Sequence, residues 1–210
     1  MNALIVTNGT LEDLNYLTIQ ASLNDFVICA DGAVQYMKKI NRIPEIVAGD
    51  LDSISEENLE WLKKNQVTVH QYEPRKNYTD TELAVNLAIE RGAIFITLTG
   101  ATGGRTDHML ANIFLLKLLY NKGVNGMIDD HREEIRLLQE GVVLSWNPGD
   151  TVSLIPLSEV VHQVSLEGFE YPLKNESLLL GSSRCISNIV THSPVRIEMG
   201  KGLILAIRNK

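Results

Sequence analysis

The sequence predicts an α/β protein in two parts, an N-terminal doubly wound, mostly parallel sheet and a C-terminal antiparallel β-sandwich domain. In residues 1–131, short and nearly continuous apolar runs alternate with amphipathic segments, which is typical of parallel strands covered by helices on both faces. In residues 132–210 the apolar segments are short, separated by turn residues and without a helical period. This change of pattern predicts two domains, 1–131 and 132–210.

Six apolar runs in the first part predict strands, at residues 3–7, 26–30, 45–48, 67–72, 93–99 and 124–128. Amphipathic stretches between them predict helices at residues 11–23, 33–40, 56–65, 81–91 and 107–121. Ser53 or Ser55 can cap the third helix, and Thr79 with Glu82 forms a capping box at the start of the fourth.

The second part predicts strands at residues 135–138, 142–145, 151–155, 160–166 and 203–207. Asn147-Pro148-Gly149 and the glycines at 168, 181 and 200 separate the apolar segments of this part. Short strands at such spacing are typical of an antiparallel sandwich or barrel.

The composition is that of an ordinary globular protein, with 44% hydrophobic and 21% charged residues. No apolar run approaches the ~20 residues that span a bilayer, and the first residues lack the basic segment of a secretion signal. Cys29 and Cys185 have no spacing that suits a disulfide framework or a zinc site. We therefore expect a cytoplasmic protein that has no membrane partner.

The formal net charge of −7 lies entirely in residues 1–140, because residues 141–210 contain six acidic and six basic side chains. A broad acidic surface disfavours binding to nucleic acids or anionic membranes. A phosphate compound would therefore bind such a domain through a divalent metal.

Polar clusters follow four of the predicted strands: Asn8-Gly9, Asp31-Gly32, residues 49–53 and residues 100–105. In an open α/β sheet, ligands bind beyond the carboxyl ends of the strands. Glycine, asparagine and aspartate also end strands without any function, which explains each cluster singly. It does not explain why so many acids should meet at one edge.

Asp50 and Asp52 are the pair of acids whose spacing points most specifically to a metal site. Two carboxylates at i and i+2 after a strand can converge on one Mg²⁺ ion, although the D-x-D pattern alone is common. Asp80 either adds a third ligand or a base, or only interacts with the helix dipole. Asp31 can play the same roles or shape a turn.

The segment GATGGRTDH, residues 100–108, contains groups that favour anions, in contrast to the acids described above. Its glycines allow close approach of backbone N–H groups to an anion, and the start of the following helix favours negative charge. Arg105 can bind a phosphate through two hydrogen bonds. His108 is either a base or a hydrogen-bonding residue at the helix start, and the segment matches neither a P-loop nor a dinucleotide fingerprint.

Six motifs in this order resemble those of the thiamin pyrophosphokinase family. They are ADGA with Asp31, GDLDS with Asp50 and Asp52, KNYTDTE with Lys76 to Glu82, GGRTDH followed by Asn112, GFEYPL at residues 168–173, and Ser187-Asn188. The resemblance covers nearly the whole chain. It departs from the family at Asn77, where an aspartate is frequent, so any metal contact from this position would be weaker or absent.

The resemblance implies an enzyme that transfers the pyrophosphoryl group of ATP to the hydroxyl of thiamin, releases AMP and needs Mg²⁺. It implies a homodimer with the active site at the subunit interface, a nucleotide-binding catalytic domain at 1–131 and a thiamin-binding domain at 132–210. By position, Asp50, Asp52 and Asp80 are the catalytic and metal-binding acids. The expected nucleotide-site residues are Asp31, Lys76, Thr79, Gly103, Gly104, Arg105, Asp107, His108 and Asn112, and the expected thiamin-site residues are Ser187 and Asn188.

Two other functions suit parts of the pattern. A haloacid-dehalogenase-like phosphatase uses the motif D-x-D-x-[TV] after its first strand, with the first aspartate as nucleophile. Here the pair follows the third predicted strand, and Ile54 stands where that motif requires threonine or valine. A nucleotide- or vitamin-sensing module would bind without turnover and would not require the four acids at the sheet edge.

Overall fold

The computed structural model describes residues 1–73 and 77–210. The chain forms two compact units, unit 1 at Met1–His131 and unit 2 at Arg132–Lys210. Unit 1 contains a parallel sheet with helices, and unit 2 consists of antiparallel strands, which confirms the predicted fold class. Among the described residues, no helix is long and apolar enough to cross a membrane.

Unit 1 is built on a sheet of six strands over its described residues. They are β1 (Asn2–Val6), β2 (Phe26–Ala30), β3 (Ile46–Gly49), β4 (Thr68–Gln71), β5 (Phe95–Thr99) and β6 (Asn125–Asp129). The strand order is β4-β3-β2-β1-β5-β6, and every pair is parallel. Successive strands add in one direction from β1 and in the other from β5, so the topological switch point, where such sheets bind ligands, lies between β1 and β5.

Five helices connect these strands in the described part of unit 1: α1 (Leu14–Leu23), α2 (Val34–Lys39), α3 (Glu56–Lys64), α4 (Asp80–Glu90) and α5 (Thr106–Asn121). The expected start of α1 at residue 11 is wrong, because Asp13 accepts the N–H of Tyr16 and caps the helix there. Ser55 caps α3 through Asn58 N–H, and Thr79 caps α4 through Glu82 N–H at 3.2 Å.

The strands of unit 1 read as continuous apolar runs because the sheet is covered on both faces. Leu4 and Ile5 are consecutive in β1 and point to opposite faces, and both are completely buried. The same holds for Val27 and Ile28 in β2. Each such side chain contributes about 1.5–3 kcal/mol to folding. This core makes the sheet edge a rigid support for the polar residues that follow the strands.

Unit 2 contains eight strands in two antiparallel sheets: β7 (Glu133–Leu138), β8 (Val142–Leu144), β9 (Thr151–Pro156), β10 (Val160–Glu167), β11 (Leu173–Leu179), β12 (Asn188–Ile189), β13 (Val195–Glu198) and β14 (Ile204–Asn209). One sheet has the order β7-β14-β9-β12 and the other β8-β13-β10-β11. The sequence did not predict β11, β12 and β13. Alternate residues of β9 and β13 are buried, as expected when one face of a sheet meets a core.

Charged side chains inside unit 2 are paired with one another. Arg208 donates to Asp150 at 2.6 Å and lies 3.5 Å from Glu134, and all three side chains are nearly buried. The indole N–H of Trp146 donates to Glu134 at 3.2 Å. Because buried charges require partners, this network ties β7, β14, the residue before β9 and Trp146 into one arrangement.

Candidate active site

A cleft of about 360 Å³ opens at the carboxyl edge of the unit 1 sheet. It is lined by residues from all four polar clusters and from the starts of α4 and α5: Thr7, Asn8, Gly9, Ala30, Asp31, Ser53, Tyr78, Thr79, Asp80, Thr81, Gly100, Ala101, Gly103, Gly104, Arg105, His108, Met109 and Asn112. The expectation that the four clusters share one edge is thereby confirmed. The cleft includes the switch point between β1 and β5.

Three carboxylates form the acidic group of the site, Asp31, Asp50 and Asp52. Each offers an oxygen that lies within 4.8 Å of those of the other two. Asp50 follows β3 directly, and its Oδ1 accepts the N–H of Asp52 at 3.3 Å. The hydroxyl of Ser53 donates to Asp52 Oδ1 at 2.9 Å. The turn after β3 therefore directs both acids toward Asp31.

Asp31 is the most buried member of the acidic group, with 6% of its surface exposed. Its Oδ1 is buried and has no hydrogen-bond partner within residues 1–73 and 77–210. Its backbone φ of +46° lies in the left-handed region, which aspartate tolerates better than most residues. A buried carboxylate oxygen without a donor is costly, so the site is arranged to receive one or to receive a cation.

Burial is the main cause that raises the pKa of Asp31 above its ordinary value of 3.8. A hydrogen bond with Ser53 opposes this shift, while the charges of Asp80, Asp50 and Asp52 add to it. Asp80 lies in the first turn of α4, and its charge acts on the acidic group from there. Its carboxylate is not one of the three whose oxygens lie within 4.8 Å of one another. The sequence placed Asp80 with Asp50 and Asp52, whereas the structure places Asp31 closest to them.

The glycine loop, residues 100–105, forms another wall of the cleft. Gly103 and Gly104 have φ values of +81° and +70°, and no described atom lies within 4 Å of a side chain built on either. Both positions favour glycine because of backbone conformation rather than space. The loop runs into α5, a helix of 16 residues, whose first N–H groups face the same region.

Arg105 is paired with Asp107 across the start of α5. Its Nε and one terminal nitrogen donate to the two carboxylate oxygens at 3.1 and 2.6 Å, and both side chains are exposed. This pairing lowers the pKa of Asp107 to about 2. The two predicted nucleotide-site residues therefore bind each other here, and a phosphate must compete with Asp107 for the guanidinium.

The remaining predicted residues of the nucleotide site differ in what they contact. His108 lines the cleft, and its N–H donates to Asp107 Oδ1 at 3.0 Å. Asn112 donates from Nδ2 to the carbonyl of Ala101 at 2.9 Å and so holds the glycine loop. Thr79 caps α4 beside Asp80. Lys76 lies outside the described residues.

Ser187 and Asn188 lie in unit 2 at the start of β12. The buried side chain of Asn188 accepts the N–H of Tyr171 at 3.0 Å and of Ile189 at 2.9 Å, and donates to the carbonyl of Tyr171 at 2.8 Å. It therefore joins β12 to the GFEYPL motif. Ser187 is exposed, with a φ of +57°, and its N–H donates to Ser153. Of the two, Ser187 has the side chain open to a ligand.

Sequence reasoning did not single out Asp130. This buried residue directly follows β6 and accepts hydrogen bonds from Thr99, Gly100 and Thr102, at the base of the glycine loop. The signal was present, because Asp129-Asp130 ends an apolar strand at the same sheet edge as the other acids.

The fold and the cleft define the class of protein, an α/β protein with a ligand cleft at the carboxyl edge of its parallel sheet and a β-sandwich unit after that sheet. The family model described as "Thiamin pyrophosphokinase, catalytic domain" matches residues 20–128, and that described as "Thiamin pyrophosphokinase, vitamin B1 binding domain" matches residues 135–204. The chain belongs to the thiamin pyrophosphokinase family. Its reaction is that of the family, in which ATP is the co-substrate and thiamin the acceptor.

Individual relatives agree with this assignment. The chain is 38% identical to thiamine pyrophosphokinase of Bacillus subtilis (strain 168) over 178 residues, which is 80% of this chain and 79% of that protein. It is 27% identical over 201 residues to a thiamin pyrophosphokinase of Caenorhabditis elegans, 86% of this chain and 77% of that one. The crystal structure of the Bacillus subtilis enzyme superposes with a TM-score of 0.89 and 31% identity, covering 100% of this chain and 99% of that chain.

Proposed function

We propose that the cleft of unit 1 binds ATP together with Mg²⁺, and that unit 2 binds thiamin through the segment around Ser187. Unit 1 would then be the nucleotide-binding catalytic domain and unit 2 the thiamin-binding domain. The observation that carries the proposal is the acidic group of Asp31, Asp50 and Asp52, whose member Asp31 lines the same cleft as the glycine loop and Arg105. Negative groups on one wall suit a cation, and N–H groups with a guanidinium on another suit phosphate oxygens.

The donor set fits a hard divalent cation. All three members of the acidic group offer oxygen, and Mg²⁺ binds through one or two carboxylates plus water and substrate phosphates. Among the described residues, Asp31 Oδ1 has no hydrogen-bond partner, and this is further support because a nearby cation would compensate its negative charge. We assign Asp50, Asp52 and Asp80 as the metal-binding acids, and we add Asp31 because its carboxylate oxygen lies within 4.8 Å of those of Asp50 and Asp52. Bound Mg²⁺ would neutralise charge on the phosphates of ATP.

The glycine loop and the start of α5 would hold the phosphate oxygens. Gly103 and Gly104 are exposed residues with no described atom within 4 Å of their Cβ positions, and the helix N-terminus adds a favourable dipole. Arg105 would exchange its two hydrogen bonds to Asp107 for two to phosphate, which needs little movement because both are exposed. Lys76, Thr79, His108 and Asn112 are assigned to the same nucleotide site.

The bond changes follow from the family reaction. The thiamin hydroxyl oxygen forms a bond to the β-phosphorus of ATP while the bond from that phosphorus to the α–β bridging oxygen breaks, and AMP leaves with the electron pair. The hydroxyl proton passes to a carboxylate of the site as the new bond forms. The other side chains orient the reactants and balance their charge.

We further propose a cytoplasmic homodimer with the active site at the subunit interface. Large apolar side chains remain exposed on α5 at Leu110 and Phe114, and in unit 2 at Tyr171 and Leu180. Burial of such surface against a second copy would be favourable. Free thiols at Cys29 and Cys185 and the use of ATP fit the cytoplasm.

The test is chromatography of nucleotides and thiamin esters after incubation with ATP, Mg²⁺ and thiamin, and with each omitted in turn. We expect AMP and thiamin diphosphate in equal amounts, only when all three are present. Inorganic phosphate without AMP would indicate a phosphatase, and binding without turnover a sensor. Asp52→Ala should abolish the products, whereas Glu60→Ala, an exposed acid of α3 outside the cleft, should not.

A further inference from the structure

The carboxylate of Asp130 is buried beneath the glycine loop, with 7% of the residue exposed. Its Oδ1 accepts the hydroxyl of Thr99 at 2.7 Å and the N–H of Gly100 at 2.8 Å. Its Oδ2 accepts the hydroxyl of Thr102 at 3.3 Å. One side chain after β6 therefore holds both ends of the segment that leads from β5 into the loop. Hydrogen bonds to an ionised acceptor are stronger than those between neutral groups.

The same segment is fixed from its other side by the chain that follows β1. The carbonyl of Gly100 accepts the N–H of Gly9 at 3.1 Å and the hydroxyl of Thr7. A side chain on Gly9 would lie 2.1 Å from that carbonyl oxygen, so the two backbones touch with no room to spare. Gly100 is thus held through its N–H by Asp130 and through its carbonyl by Thr7 and Gly9, which follow β1.

Within the described residues, the part of the loop that would contact phosphate is less enclosed. Gly103 and Gly104 have no described atoms near their Cβ positions, and the Arg105 side chain is exposed. Their placement therefore depends on where the anchored part of the loop, Thr99 to Thr102, directs the chain.

We propose that Asp130 is a positioning residue for nucleotide phosphates. Its hydrogen bonds fix residues 99–102, so that the N–H groups of Gly103 and Gly104 and the backbone that carries Arg105 are already in place when ATP arrives. The effect is pre-organisation, which saves the ordering cost on binding. This inference rests on the proposed nucleotide site in the cleft.

Asp129 provides an internal comparison. It is adjacent to Asp130 in sequence and as buried, at 5% exposed, but its Oδ2 accepts the Nε2 of Gln20 on α1 at 2.7 Å. If both buried carboxylates had only a general structural role, replacing either residue should affect nucleotide binding to a similar extent. A positioning role predicts that only Asp130 affects nucleotide binding.

The experiment measures the Kd of the whole protein for ATP with Mg²⁺ by calorimetry, in the absence of thiamin, with circular dichroism to verify folding. Asp130→Ala should raise this Kd about tenfold or more, which corresponds to ~1.4 kcal/mol. Asp130→Asn should raise it less than about threefold, because the amide oxygen can accept from Thr99 and Gly100 and the amide nitrogen can donate to the Thr102 hydroxyl. Asp129→Ala should stay within about twofold of wild type while lowering thermal stability.

If Asp130→Ala does not fold, Thr102→Val gives the second test, since it removes only the 3.3 Å hydrogen bond and should raise the Kd for ATP by about two- to fivefold. A folded Asp130→Ala protein that binds ATP as tightly as wild type would overturn the inference and leave the proposed function intact. Equal weakening in Asp129→Ala would also overturn it. Failure of the wild-type protein to bind ATP would overturn the proposed nucleotide site itself.

Discussion

Replacement of Asp31 by asparagine should stabilise the metal-free protein. The change removes one negative charge from the acidic group and nearly preserves shape, and asparagine tolerates the φ of +46° as well as aspartate does. The residue is almost completely buried, and its Oδ1 has no partner among the described residues, so little hydrogen bonding is lost.

The magnitude follows from the separation of the charges. Two carboxylates 4.8 Å apart repel by ~3.5 kcal/mol at an effective dielectric constant of about 20, and by ~0.9 kcal/mol in bulk water. Asp52 is exposed and therefore screened, so we expect a gain of about 1–2 kcal/mol, or about 2–8 °C in the unfolding midpoint. The assay is thermal unfolding at pH 7 with EDTA and again with Mg²⁺.

Mg²⁺ should reverse the order of stability. A cation held by the acidic group stabilises the wild-type protein according to its affinity, and the variant binds the cation more weakly. Glu60→Gln, which changes an exposed acid of α3, should alter neither measurement. The reasoning would be refuted if Asp31→Asn were less stable than wild type in EDTA, or if Mg²⁺ stabilised both proteins equally.

The stability gain should also depend on pH in a definite direction. The fold raises the pKa of Asp31, so folding favours the protonated acid, and the wild-type protein loses stability as pH rises above the unfolded-state value near 3.8. Below that pH the acid is protonated in both folded and unfolded protein. The advantage of the variant should therefore be largest at neutral pH and disappear near pH 4. An advantage that grew on acidification would contradict this sign.

Three further predictions concern the rest of the chain. Asp50→Ala and Asp52→Ala should each abolish AMP release with an unchanged circular dichroism spectrum, and near-normal turnover in both would exclude them as metal ligands. Arg105→Lys should raise the KM for ATP about tenfold with little change in the KM for thiamin, because lysine cannot form two parallel hydrogen bonds to phosphate; equal effects on both substrates would argue against a phosphate contact. Arg208→Met should lower the free energy of unfolding by about 3–5 kcal/mol in urea titrations, because it removes the cation bound to the buried carboxylate of Asp150, while Glu134 keeps its ion pair with Arg136; a loss below about 1 kcal/mol would mean that water replaces the guanidinium.

The parallel sheet was predictable because strands buried on both faces leave continuous apolar runs in the sequence. The strand Phe26–Ala30 was predicted at its observed bounds for this reason. The start of α1 was not, because Leu11 continues the apolar pattern before Asp13 caps the helix. Periodicity reports which residues face the core, whereas the end of a helix depends on one hydrogen bond.

The strands of the β-sandwich were harder to predict from the sequence. Strand β11, Leu173–Leu179, contains the polar run Lys174-Asn175-Glu176. Asn175 has a φ of +52°, and the pairing of β11 with β10 shifts register in this region. A bulge interrupts the alternation of apolar and polar residues, so the pattern that predicts strands is lost there.

The four polar clusters and their meeting at one edge were predictable, because parallel strands end at the same side of a sheet. The inner geometry was not. The left-handed backbone of Asp31, which brings it to Asp50 and Asp52, has no signature in sequence. Nor has the pairing of Arg105 with Asp107, since charges two positions apart meet only because they flank the start of a helix.

The central claim is that the cleft of unit 1 transfers an intact pyrophosphoryl group. The most direct test uses ATP labelled with ³²P at the β-phosphorus. The wild-type protein with Mg²⁺ and thiamin should place the label in thiamin diphosphate, at the phosphorus bound to the thiamin oxygen, with one unlabelled AMP for each product molecule. Asp50→Ala should give no labelled thiamin ester. Label found in ADP, with thiamin monophosphate as the product, would contradict the account, because it would mean attack at the γ-phosphorus.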